Sequence, residues 1–98
     1  MPQFILFCRD KPDSLALRQA TRPAHLEYFA NFGERLILGG PMLNDKGDPV
    51  GSMLIIEAAD QAAAQAFAAN DPYALAGLFA EVSVTPYRIV TGSLATTK

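Results

Sequence analysis

His25 is the only histidine in the chain, and it sits in the stretch "ATRPAHLEYFANFG", Ala20 to Gly33. An imidazole has an ordinary pKa of about 6.5, so modest tuning suits it to take or give a proton near neutrality. At about 100° per residue, His25, Leu26, Phe29, Phe32 and Gly33 share one arc of a helix, with Glu27, Asn31 and Glu34 opposite. The ring therefore faces inward. A buried imidazole can equally serve the core by donating to a backbone carbonyl, because buried polar groups are hydrogen-bonded whatever their task. Asp71, in "NDPY", offers a carboxylate of the kind that fixes an imidazole tautomer and stabilises the imidazolium. Placed before Pro72, it is also a favoured helix N-cap, and one carboxylate could do both.

Arg22 precedes His25 by one helical turn and could hold an anionic substrate group, or equally an ion pair at a surface. Ser52 could hydrogen-bond a ligand or simply bound a strand. Asp10 reads as a turn residue that could also reach a ligand, and Tyr73 as a packed ring or a phenol at a pocket rim. Cys8 alternates with Leu6 and Phe4 and reads as inert core filling. Several site types are excluded. One His and one Cys far apart give no metal-ligand cluster of the usual spacing. Gly39-Gly40 lacks the spacing of a phosphate loop, and neither a dinucleotide fingerprint nor a G-x-S-x-G elbow occurs. No cofactor is called for.

The elements that must position these groups follow from composition and periodicity. Ninety-eight residues suggest one domain, residues 1–98, that removes roughly 60–65% of its unfolded surface from water. Half the residues are hydrophobic and 18% charged, rich in apolar groups for this size. A net charge of −2 without a basic run argues against nucleic acid as a partner. No apolar segment approaches the ~20 residues needed to span a bilayer, and "MPQFILFCRD" does not read as a signal peptide. A single cysteine fits a reducing cytoplasm.

"QFILFC" (Gln3–Cys8) reads as a first strand, followed by the turn "RDKPDS". Asp13 or Ser14 could cap a brief helical stretch through Arg18. Pro23 suits a first helical turn, which predicts a break near Thr21 and a main helix from about Arg22 to Phe32, ended by Gly33. "RLILGGP" (Arg35–Pro41) reads as a second strand stopped by Gly39-Gly40-Pro41. After the loop "MLNDKGDPVG", "SMLIIEA" (Ser52–Ala58) reads as the third. Asp60 caps an alanine-rich helix through about Asn70, with Ala63, Ala66 and Phe67 inward. Pro72 starts a further turn, and "EVSVTPYRIV" (Glu81–Val90) is a half-buried strand that Pro86 places at an edge. The tail from about residue 92 looks mobile.

The order β-α-β-β-α-β is that of an α+β, ferredoxin-like fold, a four-stranded antiparallel sheet with helices on one face. Strand 1 is apolar on both faces, Phe4, Leu6 and Cys8 against Ile5 and Phe7, and strand 3 likewise. The helix-free face then needs a cover, which a second copy packing sheet to sheet would supply. A homodimer is expected.

"DKPDSLALRQATRPAHLEYF", then "GGP" and "GS", then "NDPYALAGLFAEVSVTPYRIV" together resemble the YCII-related (YciI-like) family of small proteins. The resemblance runs from about Phe4 to Val90, and R-P-x-H-L with D-P-Y-x-x-x-G is its distinctive pair. It implies a dimeric α+β barrel with a pocket between helices and sheet and a His–Asp pair as its active site. That pair falls on His25 and Asp71, with Arg22, Ser52 and Asp10 as pocket residues. The family's relatives resemble muconolactone isomerases in fold, and some members are linked to dehalogenation or lyase steps on aromatic-derived rings.

The expected function is cofactor-independent proton transfer of isomerase, lyase or hydrolase type on a small anionic or carbonyl-bearing organic molecule. His25 would be general acid/base, Asp71 its orienting carboxylate, and Arg22, Ser52 and Asp10 substrate contacts. The alternatives are a non-catalytic dimer that binds or senses a metabolite, and a structural dimerisation domain in which His25 and Asp71 never meet.

Overall fold

The computed structural model describes residues 1–95; of the expected mobile tail, residues 96–98 lie outside the described residues. Four strands, β1 (Gln3–Asp10), β2 (Leu36–Leu43), β3 (Pro49–Glu57) and β4 (Phe79–Tyr87), form one antiparallel sheet in the order β2-β3-β1-β4. Helices α1 (Leu15–Phe32), α2 (Gln61–Ala69) and the single turn α3 (Pro72–Leu75) complete the expected β-α-β-β-α-β order. Two hairpin-free crossovers through α1 and α2 place the outer strands beside the central pair, which is the ferredoxin-like arrangement.

The core forms between one sheet face and the helices. Phe4, Leu6, Leu54 and Ile56 alternate along β1 and β3 and pack with Ala64, Phe67 and Ala68 of α2. Tyr28, Phe29 and Phe32 of α1 lie against this cluster, and the Tyr28 hydroxyl donates to the Phe67 carbonyl at 2.8 Å, tying the helices together. On the opposite sheet face, Phe7 in central β1 is 40% exposed, as the two-sided apolar pattern implies.

Several element boundaries differ from expectation, each for a local reason. Instead of breaking near Thr21, α1 runs unbroken for 18 residues with Pro23 inside it. Pro23 forfeits its bond to the Gln19 carbonyl, an interior cost of about 3 kcal/mol. The helix is held on both sides of the proline: Arg18 and His25, two turns apart on one face, bond to other elements, and Tyr28, Phe29 and Phe32 pack against the core. Ser14 occupies the N-cap position but makes no capping bond; its hydroxyl donates to the Pro12 carbonyl. At the other end Gly33 adopts φ 73°, the positive region that glycine tolerates, as expected of a helix terminator.

β2 continues through Gly39-Gly40-Pro41 rather than stopping there, because an edge strand has one side free of ladder bonds and accommodates proline. β3 begins at Pro49, three residues early, and β1 extends to Asp10 by pairing with β4. β4 is an edge strand holding Pro86, as expected, but ends at Tyr87. Asp60 caps α2 by accepting from the Ala63 N–H at 2.8 Å. The buried alanines of α2 are Ala64 and Ala68, not Ala63 and Ala66. Apart from Phe67, the sequence "QAAAQAFAA" has no bulky apolar side chain to set its rotation.

Gly51 illustrates how closely the strands are packed. A Cβ there would lie 2.6 Å from the Cys8 carbonyl oxygen and 2.6 Å from Met42 Cε. The backbone contact cannot be relieved by a rotamer change. Gly51→Ala is therefore expected to cost about 1–3 kcal/mol and to lower Tm by several degrees in a thermal melt. An unchanged Tm would show that β1 and β3 separate more readily than this packing implies.

Candidate active site

α1 presents Arg18, Arg22, His25 and Phe29 at intervals of four, three and four residues, one continuous stripe along a helix. Facing that stripe are Ser52 of β3, Leu54 and the start of α3. Between them lies a cleft of about 220 Å³ bordered by Arg18, Arg22, His25, Ser52 and Tyr73. Leu26, Phe29 and Leu54 supply its apolar wall. Gly39 of β2 keeps this space open, because a Cβ there would meet Leu54 Cδ2 at 2.7 Å.

The Asp71 side chain is the hinge of the site. Its Oδ1 accepts the backbone N–H of Tyr73 at 2.9 Å, capping α3, and lies 2.9 Å from His25 Nδ1. Both side chains are buried, 8% and 4% exposed. An ionised carboxylate only accepts hydrogen bonds, so this geometry favours the tautomer in which a neutral ring donates from Nδ1 and keeps its lone pair on Nε2. Among the described residues no group bonds to Nε2, and the ring borders the cleft. The Tyr73 ring stacks on the imidazole with centroids 3.9 Å apart and planes inclined by 16°, while Phe29 packs at 4.0 Å. Histidine is thus clamped in one orientation by a carboxylate and two aromatic rings.

A second buried ion pair stands two turns away. Arg18 Nη1 donates to both carboxylate oxygens of Asp10 at 3.0 Å, and Nη2 donates to Ser52 Oγ at 2.6 Å. The guanidinium carbon is 4.7 Å from the Tyr73 ring centroid, so Tyr73 contacts both Arg18 and His25. Burial pushes the Asp10 carboxyl above its ordinary value, with the Arg18 charge and hydrogen bonds pulling the other way. Burial likewise raises the Tyr73 phenol.

His25, Asp71, Arg22 and Ser52 are brought together around the cleft or directly behind it. Asp10 is not on the cleft wall; its carboxylate accepts from Nη1 of Arg18, which is. Arg22 is exposed at the cleft, and among the described residues no carboxylate pairs with it. Arg18 is a site residue that the expected break near Thr21 hides, because a break there separates it from the His25 helix. Its signal was present as the spacing 18, 22, 25, 29. Tyr73 is packed, 2% exposed, rather than standing at a rim. Among the described residues no three His, Cys, Asp or Glu side chains converge as a metal site, and no helix is long and apolar enough to cross a membrane.

The family model for the YCII-related domain matches residues 2–88 of this chain, which belongs to that family. Protein YciI of Escherichia coli O6:H1 is 40% identical, with 89% of this chain and 97% of the relative covered, and Protein YciI of Shigella flexneri matches equally. Among solved structures, the 5-chloro-2-hydroxyhydroquinone dehydrochlorinase TftG of Burkholderia phenoliruptrix AC1100, in complex with 2,5-dihydroxybenzoquinone, superposes with a TM-score of 0.82. It is 35% identical, over 88% of this chain and 93% of that one. An antibiotic biosynthesis monooxygenase, 16% identical, shares the ferredoxin-like fold at a TM-score of 0.56, covering 93% of this chain and all of its own.

Cys8 lies on the helix-covered face beside Ser52 but offers no nucleophile. Burial, reinforced by the nearby Asp71 and Asp10 carboxylates, pushes its thiol up to about 12. The thiolate, which is the reactive form, is then a negligible fraction at neutral pH. Native protein at pH 8 should resist alkylation by iodoacetamide, with stoichiometric labelling only in denaturant. Rapid labelling of the folded protein would contradict this assignment.

Proposed function

We propose that the chain is a cofactor-independent enzyme that moves a proton on a small oxygenated organic molecule. The observation that carries this reading is the 2.9 Å bond between His25 Nδ1 and Asp71, which leaves Nε2 at the cleft without a partner among the described residues. A fixed tautomer with an open Nε2 is what a general base needs, and Asp71 stabilises the imidazolium that forms when Nε2 takes a proton. Arg22 and Ser52 serve as substrate anchors, Arg22 through a charge at the cleft that no carboxylate among the described residues pairs with.

Two further observations support an enzymatic role over a purely structural one. A buried ion pair is often no more stabilising than apolar residues of the same volume, so two such pairs beside one cleft are not demanded by the fold. Dehydrochlorination, the reaction in the TftG name, is itself proton removal coupled to loss of chloride. Elimination from a hydroxylated ring is therefore the first chemistry to screen, followed by isomerisation and hydrolysis. A reducing cytoplasm suits the buried lone thiol.

The helix-free sheet face points to a homodimer. Ile5, Phe7 and Met53 stand side by side on adjacent strands there, and Phe7 is 40% exposed. Isolated exposed apolar residues are ordinary, but a contiguous patch at the centre of a sheet marks an interface. Sedimentation should give twice the 10.5 kDa chain mass, and Phe7→Asp should shift the protein toward monomer. A wild-type monomer at high micromolar concentration would overturn the dimer.

On a substrate found by screening hydroxylated and halogenated rings, His25→Ala should lower kcat by about 10²–10⁴ while Tm stays near wild type. Asp71→Asn keeps an oxygen for the α3 cap, so it should preserve the fold yet lose most of the activity. Full turnover by His25→Ala would sink the acid–base reading. Ligand affinity without any turnover in wild type would favour a metabolite-binding protein instead.

A further inference from the structure

The Ser52 hydroxyl is in a hydrogen-bonding state that the surrounding residues force. Asp10 takes both bonds from Arg18 Nη1, leaving Nη2 to donate to Ser52 Oγ at 2.6 Å. A guanidinium has donors and no acceptor, so Ser52 accepts in that bond and its own proton is left over. Among the described residues nothing accepts that proton, although Ser52 is only 3% exposed. Buried donors are ordinarily satisfied, and this one borders the cleft. Donation from a cation also polarises the hydroxyl and strengthens it as a donor in turn. Arg22, one turn beyond Arg18 on the same stripe, brings a positive charge to the same space with no carboxylate to neutralise it among the described residues.

We propose that Ser52 and Arg22 form an oxyanion subsite in the cleft, with Arg18 and Asp10 as the positioning residues that orient and polarise Ser52. The proposal rests on the cleft being the ligand site described above, and it narrows the ligand chemistry. The ligand presents an oxygen that is negative when bound or becomes so in the reaction, as in a phenolate or an enolate. When His25 Nε2 takes a proton from a carbon next to a carbonyl, the C–H electron pair moves into the ring or chain and onto that oxygen. Ser52 and Arg22 receive the charge, and the imidazolium retains the proton until it is returned or released. Stabilising charge where it develops is a larger effect than holding the ground state.

The arrangement assigns separate work to the two buried acids. Asp71 fixes the base, and Asp10, through Arg18, fixes the donor. Asp10 is thereby a positioning residue rather than a ligand contact, consistent with its bonds to Arg18 and its absence from the cleft wall.

4-Nitrophenol tests this without a known substrate, because its phenolate absorbs in the visible and its ionisation reports the electrostatics of whatever binds it. Wild-type protein in excess should bind the phenolate about tenfold more tightly than the phenol, lowering the probe's ionisation midpoint by about one pH unit. Ser52→Ala should weaken phenolate binding by about tenfold or more while the folded protein still binds nitrobenzene, and its Tm should fall because Arg18 Nη2 loses its acceptor. Ser52→Cys, a weaker donor of similar size, should fall between, and it serves if the alanine variant folds poorly. Arg18→Lys, which keeps the charge but cannot bridge Asp10 and Ser52 in the same fork, should reduce the shift with nitrobenzene binding intact.

The proposal is overturned if wild type fails to bind 4-nitrophenol at millimolar concentration or binds it without shifting its ionisation. It is equally overturned if Ser52→Ala shifts the probe as wild type does. Loss of the subsite with His25-dependent turnover intact would leave the acid–base reading standing. A Ser52-dependent shift in a protein without turnover would leave an anion-binding cleft and remove the enzyme.

Discussion

The bond between His25 Nδ1 and Asp71 Oδ1 joins residues 46 apart in sequence, and much of the site's geometry depends on it. Asp71 accepts from the imidazole and from the Tyr73 backbone with the same oxygen, so the start of α3 is fixed relative to the middle of α1. That placement puts the Tyr73 ring flat on the imidazole and within contact of Arg18. A carboxylate that merely capped α3 would leave the ring free to rotate. Because the cap and the histidine partner are one group, the fold of the α2–β4 connection and the orientation of the base are a single constraint.

The cleft wall combines groups that a small core would ordinarily avoid. Arg18, His25, Ser52 and Asp71 are all buried in a 98-residue chain, yet no buried side-chain polar atom among the described residues is left without a hydrogen-bond partner. Burying charge is costly unless it is paired, and here each cation or imidazole meets one carboxylate. The pairing leaves Nε2 and the Ser52 proton facing the cleft, and Arg22 standing beside them. The polar network is closed on the protein side and open on the ligand side. Aromatic packing from Phe29, Phe67 and Tyr28 holds α1 down over the sheet and so keeps that opening in register.

The fold was legible from alternation and order. Phe4, Leu6 and Cys8 alternating with Ile5 and Phe7 define a strand, and the arrangement of turn residues separates the six main elements in the order observed. What was not legible has physical causes. Pro23 weighs against a continuous helix locally, and tertiary bonds at Arg18 and His25 with aromatic packing beyond them reverse that preference. A break there would detach Arg18, the residue that links Asp10 to Ser52, from the His25 helix. Gly39-Gly40-Pro41 resembles a stop signal, but edge position removes the penalty that would have made it one. The alanine-rich α2 carries too little side-chain contrast to reveal its rotation. The meeting of His25 and Asp71 could not follow from spacing at all, since it depends on how α3 docks; it came from the resemblance of R-P-x-H-L and D-P-Y to family elements.

The proposed chemistry depends on where the proton sits in the neutral imidazole. Nitrogen-15 NMR of the protein labelled at its single histidine reads this directly across a pH titration. The geometry predicts a neutral ring protonated at Nδ1, with Nε2 showing the shift of an unprotonated nitrogen, and loss of that tautomer preference in Asp71→Asn. A neutral ring carrying its proton on Nε2 would mean that Asp71 does not orient the base and that the cleft holds a donor where the proposed chemistry requires an acceptor.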